Sequence, residues 1–249
     1  MRLFLHELKA EQRLYWRSRE AAFFTFLFPI LLYVLVSAFY TGEIEGRPAG
    51  RVLLAGLLGY GAATTTFAGI AIFLVVRREN GILKRLRATP LPPVVYISAL
   101  LASTLLVFAA EAVAMVLLAR FAYHVGIPDR LGSLALALLL GAAAFTALGI
   151  ALTAAIRSAE GASAVVNLIV LPMAFLSGSF GPTRHYPHVL RALAEALPLT
   201  YLIRLVRGAV VFGEPIWERP TAVAVVAVWG LIGLALSLWA FRWEPTETG

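Results

Sequence analysis

The sequence predicts an all-α membrane protein with six transmembrane helices, an N-terminal interfacial helix and a re-entrant helical hairpin between spans 5 and 6. Three observations carry this. Of 249 residues, 60% are hydrophobic and 14% are charged, where a soluble domain carries roughly a quarter charged residues. The mean hydropathy is +0.84. The charges are missing from whole stretches rather than thinned evenly, and several stretches reach the roughly 20 apolar residues needed to cross about 30 Å of hydrocarbon.

The first element, 1–20, alternates charged and apolar groups. Leu5, Leu8, Tyr15 and Trp16 offer apolar area, while Arg2, Lys9, Arg13, Arg17 and Arg19 give a basic edge. Such a helix lies in the membrane interface rather than crossing it. It lacks the short apolar core and small-residue cleavage site of a signal peptide. Span 1 is expected over 22–40, with Pro29 inside it, and span 2 over 52–76. Span 3 follows over 94–119, span 4 over 131–156, and span 5 over 162–176 with Pro172 inside it. Span 6 covers 221–241 and is ended by the charged tail 242–249. Proline is tolerated within a span where neighbours re-satisfy the freed carbonyl.

The loops set the orientation. With the N-terminus in the cytoplasm, the inside receives the five basic residues before span 1, the five between 77 and 87, Arg157 and Arg242. The outside receives nine, five of them in the one long loop between spans 5 and 6. The first two cytoplasmic segments are the densest and dominate, which places both termini inside. The net charge of +7 is thus explained by topology and anionic lipid rather than by nucleic acid.

Two segments carry more than topology. Between spans 2 and 3, residues 77–93 form a short basic helix stopped by Pro90, Pro92 and Pro93. Ile82, Leu83 and Leu86 make its apolar edge, and Arg78, Lys84, Arg85 and Arg87 its polar one. It reads either as a topology-setting loop or as a docking helix. After span 5, residues 175–182 turn the chain back through glycine and proline. Tyr186, Val189, Leu190, Leu193 and Leu197 then share a helical face, and Pro198 starts a second helix with Thr200, Arg204 and Arg207 on one stripe. Neither piece is long enough to span, so 181–213 is expected to fold back at the outer face.

These segments resemble the membrane subunit of ABC-2 type ABC transporters. That family's loop after the second span has the form Arg-Glu-x-Gly-x-x-Lys-x-Leu-x-x-Thr-Pro, matched here by Arg78, Glu79, Gly81, Lys84, Leu86, Thr89 and Pro90. Its outer turn, Phe-Leu-Ser-Gly-x-Phe-x-Pro, is matched by 175–182, followed by Leu197-Pro198 and Arg207. The resemblance covers nearly the whole chain. It implies a permease that pairs with a second copy or a homologous permease. Separate ATPase subunits would bind ATP and Mg, leaving this chain without a cofactor of its own. It also implies that Arg78, Glu79, Gly81, Lys84, Arg85, Thr89 and Pro90 couple to the ATPase. Phe175, Ser177, Gly178, Phe180, Pro182, Pro198 and Arg207 would form an extracellular gate. The expected direction is export from the cytoplasm. The sequence itself agrees on one point, since it holds no G-x-x-x-x-G-K-[ST] phosphate loop.

Other candidates rest on single residues. Glu111 lies deep in span 3, and an ionisable residue there is a functional candidate for the transport pathway. Thr104 lies seven residues earlier on the same face, and Asn167 is polar at lipid depth in span 5. The bland readings are a carboxyl paired with a neighbouring helix and an amide bonded across helices. His185 and His188 have a spacing open to a metal but no third ligand, and the absence of cysteine removes thiolate sites. Trp217, Trp229, Trp239 and Trp243 read as belt or lipid-facing residues.

Rival functions are an intramembrane serine protease at Ser179, an ion-coupled transporter acting alone, and a membrane scaffold. The protease needs a base within reach of Ser179, and both histidines lie in the hairpin. The solitary transporter lacks an internal repeat. Among exporters, the scarcity of charge and the lack of an aromatic ladder favour hydrophobic or amphiphilic cargo, such as drugs or lipids, over polysaccharide or glycolipid.

Overall fold

A computed structural model describes residues 1–40 and 42–240, with the backbone alone at 21, 87, 93 and 240. The expected end of span 6 at 241, the tail with Arg242 and Trp243, and the side chain of Arg87 lie outside the described residues. Helices dominate. They are α1 (Arg2–Arg17), α2, α3 (Ala49–Glu79), α4 (Ile82–Arg87), α5 (Pro93–Ala122), α6 (Leu131–Leu152), α7 (Ala159–Leu176), α8 (His188–Ala196), α9 (Pro198–Arg207) and α10 (Pro220–Ala240). Helix α2 runs through Arg19–Ala22, a π-helical turn at Phe23–Leu27, and Phe28–Phe39.

Among the described residues, five helices are long and apolar enough to cross a membrane, α3, α5, α6, α7 and α10; the Phe23–Phe39 stretch of α2 is apolar but shorter. The chain therefore alternates between two ends. One end carries α4. The other carries the α8–α9 hairpin and a small β-hairpin, β1 (Glu43–Ile44) and β2 (Arg47–Pro48). This β-hairpin was not expected from an all-α reading. Its turn residues Glu45 and Gly46 both have positive φ, 57° and 71°. That is the backbone twist a tight hairpin demands, whereas the helical periodicity of the flanking spans says nothing about it.

Several boundaries move. Span 2 was expected over 52–76, but its helix runs through Glu79, so Arg77 and Arg78 belong to that helix. Span 4 ends its helix at Leu152 rather than 156, and α7 begins at Ala159, where the Ser158 side chain caps Gly161. The helix expected within 77–93 breaks at Gly81, whose φ of 67° suits glycine, and α4 restarts at Ile82. In the hairpin, Val189, Leu190 and Leu193 form the outward face of α8, and Ala194 is the residue turned inward.

The core lies along α3. Its Val52–Ala63 stretch is buried on all sides, because α2, α5, α6 and α9 pack around it. Tyr33 of α2 is fully buried and donates its hydroxyl to the Gly50 carbonyl at 3.1 Å. Helix α9 is enclosed rather than surface-bound. Leu199, Leu202 and Val206 are fully buried, with Ile203 against Gly59 and Leu202 against Gly141. Helices α6 and α10 run parallel, with Gly230 on Ala144 and Gly233 on Leu148.

The end of α3 is closed by a buried ion pair. Arg77 donates to Glu11 of α1 through Nη1 at 2.6 Å and Nη2 at 3.0 Å. It also donates to the Tyr96 hydroxyl of α5 and lies 3.9 Å above the Phe73 ring. The Arg77 and Glu11 side chains are only 10% and 4% exposed. Gln12 adds a bond to the Ser103 carbonyl at 3.0 Å, fastening α1 along α5. Breaking a buried pair by removing one partner costs about 3–5 kcal/mol, because the other charge stays stranded. Arg77→Ala should lower the thermal unfolding temperature of the purified protein markedly, and Glu11→Ala/Arg77→Ala should cost less than the two single changes added. A single variant that melts with the wild type would show that the pair holds nothing.

The hairpin has its own clamp, an ion pair between Arg204 of α9 and Glu195 of α8. The Arg204 hydrogen bond holds the Glu195 carboxyl below the ordinary carboxylate range. A carboxyl depressed on folding stabilises above its unfolded value, about 4.3 for Glu, and loses that contribution as pH falls through the folded value. Amide exchange across 188–207 should stay slow from pH 7 to 5 and quicken below about 4.3. Arg204→Gln should remove that acid dependence.

Candidate functional site

Helix α4 sits where α3 and α5 emerge. Its polypeptide leaves α3 at Asn80, turns through the left-handed Gly81, and re-enters α5 through Pro93. Leu83 is fully buried and pins the helix to the bundle, while Glu79, Lys84 and Arg85 are exposed. Arg85 donates to the Asn80 carbonyl at 2.9 Å, closing the Gly81 turn. Thr89 donates to the Leu86 carbonyl at 2.6 Å and, with the exposed Pro90, ends the helix. The segment thus offers a short rigid cationic surface on a buried apolar pin.

Arg78 stands apart from the other residues expected there. It is 2% exposed and turned into the bundle, so it presents nothing to an outside partner. Its Nη1 donates to the Thr153 carbonyl at 2.8 Å, and it also donates to the Ile156 carbonyl. The first is the capping carbonyl at the negative end of α6, and the second lies just past the turn that follows it. Arg78 holds the base on which α4 sits. The sequence pattern placed it on the polar edge because that pattern runs as one helix from 77 to the prolines that end at 93. It missed Glu11 and Tyr96, and no spacing signal ties Glu11 to an arginine 66 residues away.

At the opposite end, several expected gate residues come together. The Phe175 and Phe180 rings meet at a tilt with centroids 4.9 Å apart, and Phe180 meets Tyr60 of α3 at a similar tilt, 5.2 Å apart. The turn at Gly178, φ 77°, exposes its carbonyl to Arg207, which donates from Nη2 at 2.9 Å. The Ser177 and Thr200 hydroxyls are bonded at 3.0 Å, and Thr200 also donates to the Ala194 carbonyl at 2.6 Å. Tyr186 donates to the Phe175 carbonyl at 2.8 Å. Pro198 occupies the first turn of α9, and Pro182 follows the turn. The turn 175–182 and the buried helix α9 are therefore one unit. Ser179 is fully buried at its centre, with its backbone carbonyl facing Gly56.

Midway along the bundle, Glu111 is 2% exposed and accepts a hydrogen bond from Thr65 at 2.6 Å. Thr65 lies in the π-helical stretch Ala62–Gly69 of α3. A methyl group at Gly61 would meet the Glu111 carboxylate at 2.5 Å, so glycine makes room for it. The carboxyl thus bridges α5 to α3 where α3 is widened, a feature frequent at functional sites. Thr104 does not join it; its hydroxyl bonds back to the Leu100 carbonyl at 3.0 Å. Asn167 is exposed on the outer face of α7 beside Leu168, itself 76% exposed. His185 and His188 are exposed, and no group of three or more His, Asp or Glu that could hold a metal occurs among the described residues.

No curated protein matches the chain. A family model described as ABC-2 type transporter matches residues 2–211, from α1 to just beyond α9. That interval contains α4, the Glu111 bridge and the Gly178–Arg207 turn. The chain belongs to the ABC-2 type transporter family, a multi-pass membrane component of ABC-type transport.

Proposed function

We propose that this chain is the permease subunit of an ATP-driven ABC exporter that moves hydrophobic or amphiphilic compounds, drugs or lipids, out of the cytoplasm. Separate ATPase subunits bind and hydrolyse ATP with Mg, and two permeases, identical or homologous, enclose the pathway. The observation that carries this reading is α4, a short cationic helix pinned by Leu83 at the junction of α3 and α5. A partner that moves α4 moves both long helices together.

In this reading the Phe23–Phe39 helix is a sixth span. Its 17 residues rise about 26 Å, close to the hydrocarbon thickness. Both termini then face the cytoplasm of a cell membrane, with α1 in the interface and the α8–α9 hairpin re-entering from outside. Enclosure of α9 by protein supports re-entry, because irregular backbone at membrane depth needs protein around it. Exposed Asn167 supports a second permease against α7, since a polar side chain at lipid depth is stabilised by a partner across a helix seam. The tilted aromatic cluster Tyr60–Phe180–Phe175 and the Arg207 tie then form the external gate.

The docking role is tested with the cognate ABC ATPase co-purified from membranes. Glu79→Ala with Arg85→Ala removes two exposed charges and should lower permease-dependent ATP hydrolysis by about tenfold, at unchanged permease abundance. Intact assembly and intact coupled hydrolysis would rule out α4 as the docking element. Glu111→Gln keeps the size of the side chain and should lower efflux by roughly 2- to 30-fold, corresponding to about 0.5–2 kcal/mol of coupling. Transport unchanged across cargoes and pH would remove Glu111 from the pathway.

A further inference from the structure

The hairpin end contains a cavity of about 300 Å³ that the gate does not explain. Four arginines line it, Arg184, Arg191, Arg204 and Arg207, against the single lining carboxylate Glu195. The charges are unequally answered. Arg204 is paired with Glu195, and Arg184 with Glu45 at 2.8 Å. Arg191 donates to the Arg184 backbone carbonyl at 3.0 Å, and Arg207 to that of Gly178 at 2.9 Å. Neither of these two has a carboxylate partner within ion-pair distance among the described residues. The Arg207 Nε is buried with no hydrogen-bond partner among them. A buried donor left open is costly, so this arrangement favours a ligand that supplies acceptors.

We infer that this cavity binds a phosphate-bearing headgroup, with Arg191 and Arg207 as the principal donors and Ser177 and Thr183 on its polar wall. Two guanidinium groups without an ion pair match a group with several oxygens and one or two negative charges, which arginine takes in forked geometry. The surroundings point to an amphiphile rather than a wholly soluble anion. Phe175 lines up beside the cavity's Leu176 and is 59% exposed, and Val189, Leu190 and Leu193 leave the apolar face of α8 open. An acyl chain can lie against that face while its phosphate sits among the arginines. This goes beyond the export reading and does not depend on it, because binding needs neither ATP nor the ATPase.

The test uses the purified full-length chain in detergent. In one arm, native mass spectrometry compares retention of phosphatidylglycerol and phosphatidylcholine. In the other, calorimetry titrates inorganic phosphate. The wild type should retain the anionic lipid preferentially. Arg191→Gln, an exposed position, should weaken that binding roughly tenfold without changing thermal unfolding, and adding Arg207→Gln should abolish the preference. If phosphate alone binds and is lost with the same substitutions, the phosphate site stands and its source is soluble. Equal retention of both lipids with no phosphate binding overturns the proposal. So does a preference for the anionic lipid that survives both substitutions. Failure of the α4 variants to alter ATP hydrolysis would leave these outcomes untouched.

Discussion

Two consecutive buried arginines organise the α4 end of the molecule. Being adjacent on one helix, they point in different directions, and each serves a different neighbour. Arg77 reaches α1 and α5 through Glu11 and Tyr96, while Arg78 reaches the open carbonyls after α6. Four helices are thereby joined through the last turn of α3. Such charges would be expensive in isolation, but here they are answered by a carboxylate, a phenol and two backbone carbonyls. The platform beneath α4 is held together from several sides for that reason.

The middle of α3 follows a different rule. Its regular helix gives way to a π-helical stretch over Ala62–Gly69, and the side chain that lies against it is the buried carboxyl of Glu111. The Thr65 bond satisfies one oxygen of that carboxyl and couples α5 to the widened turn. At the far end, Arg207 performs a comparable task with a backbone carbonyl, holding the Gly178 turn to α9. The three levels of the bundle are each fastened by a polar contact between elements distant in sequence, set within an otherwise apolar packing.

The long helices were legible in the sequence because hydrophobic length is a local signal. The same holds for the break between α8 and α9, marked by Pro198, and for the turn at Gly178. What could not be read was pairing between distant segments. Arg77 and Arg78 look like topology-setting charges until the continuing helix buries them, and Glu11 looks like one more charge on a surface helix. The helix expected within 77–93 breaks at Gly81, because its basic periodicity runs on across a residue whose backbone is left-handed. The β-hairpin was hidden for a related reason, since Glu45–Gly46 is a weaker turn signal than the asparagine–glycine pair that marks most such turns. The outward face of α8 was legible as amphipathic, but which side faces the bundle is decided by Thr200 and Ala194.

The arginine doublet also constrains what insertions and deletions this chain can accept. One residue added or lost in the last turn of α3 rotates everything after it by about 100°. Arg77 would then leave Glu11, and Arg78 would leave the end of α6. No compensating slide is open, because the two arginines are held by different neighbours on the same turn. The register from the Gly61 notch to Arg78 is therefore locked at both ends, by the Glu111 carboxyl above and the tandem guanidinium groups below. Beyond Gly81 the chain is free of that lock. Length variation in relatives of this protein should fall after the glycine, in the proline-rich turn before α5, and not before it.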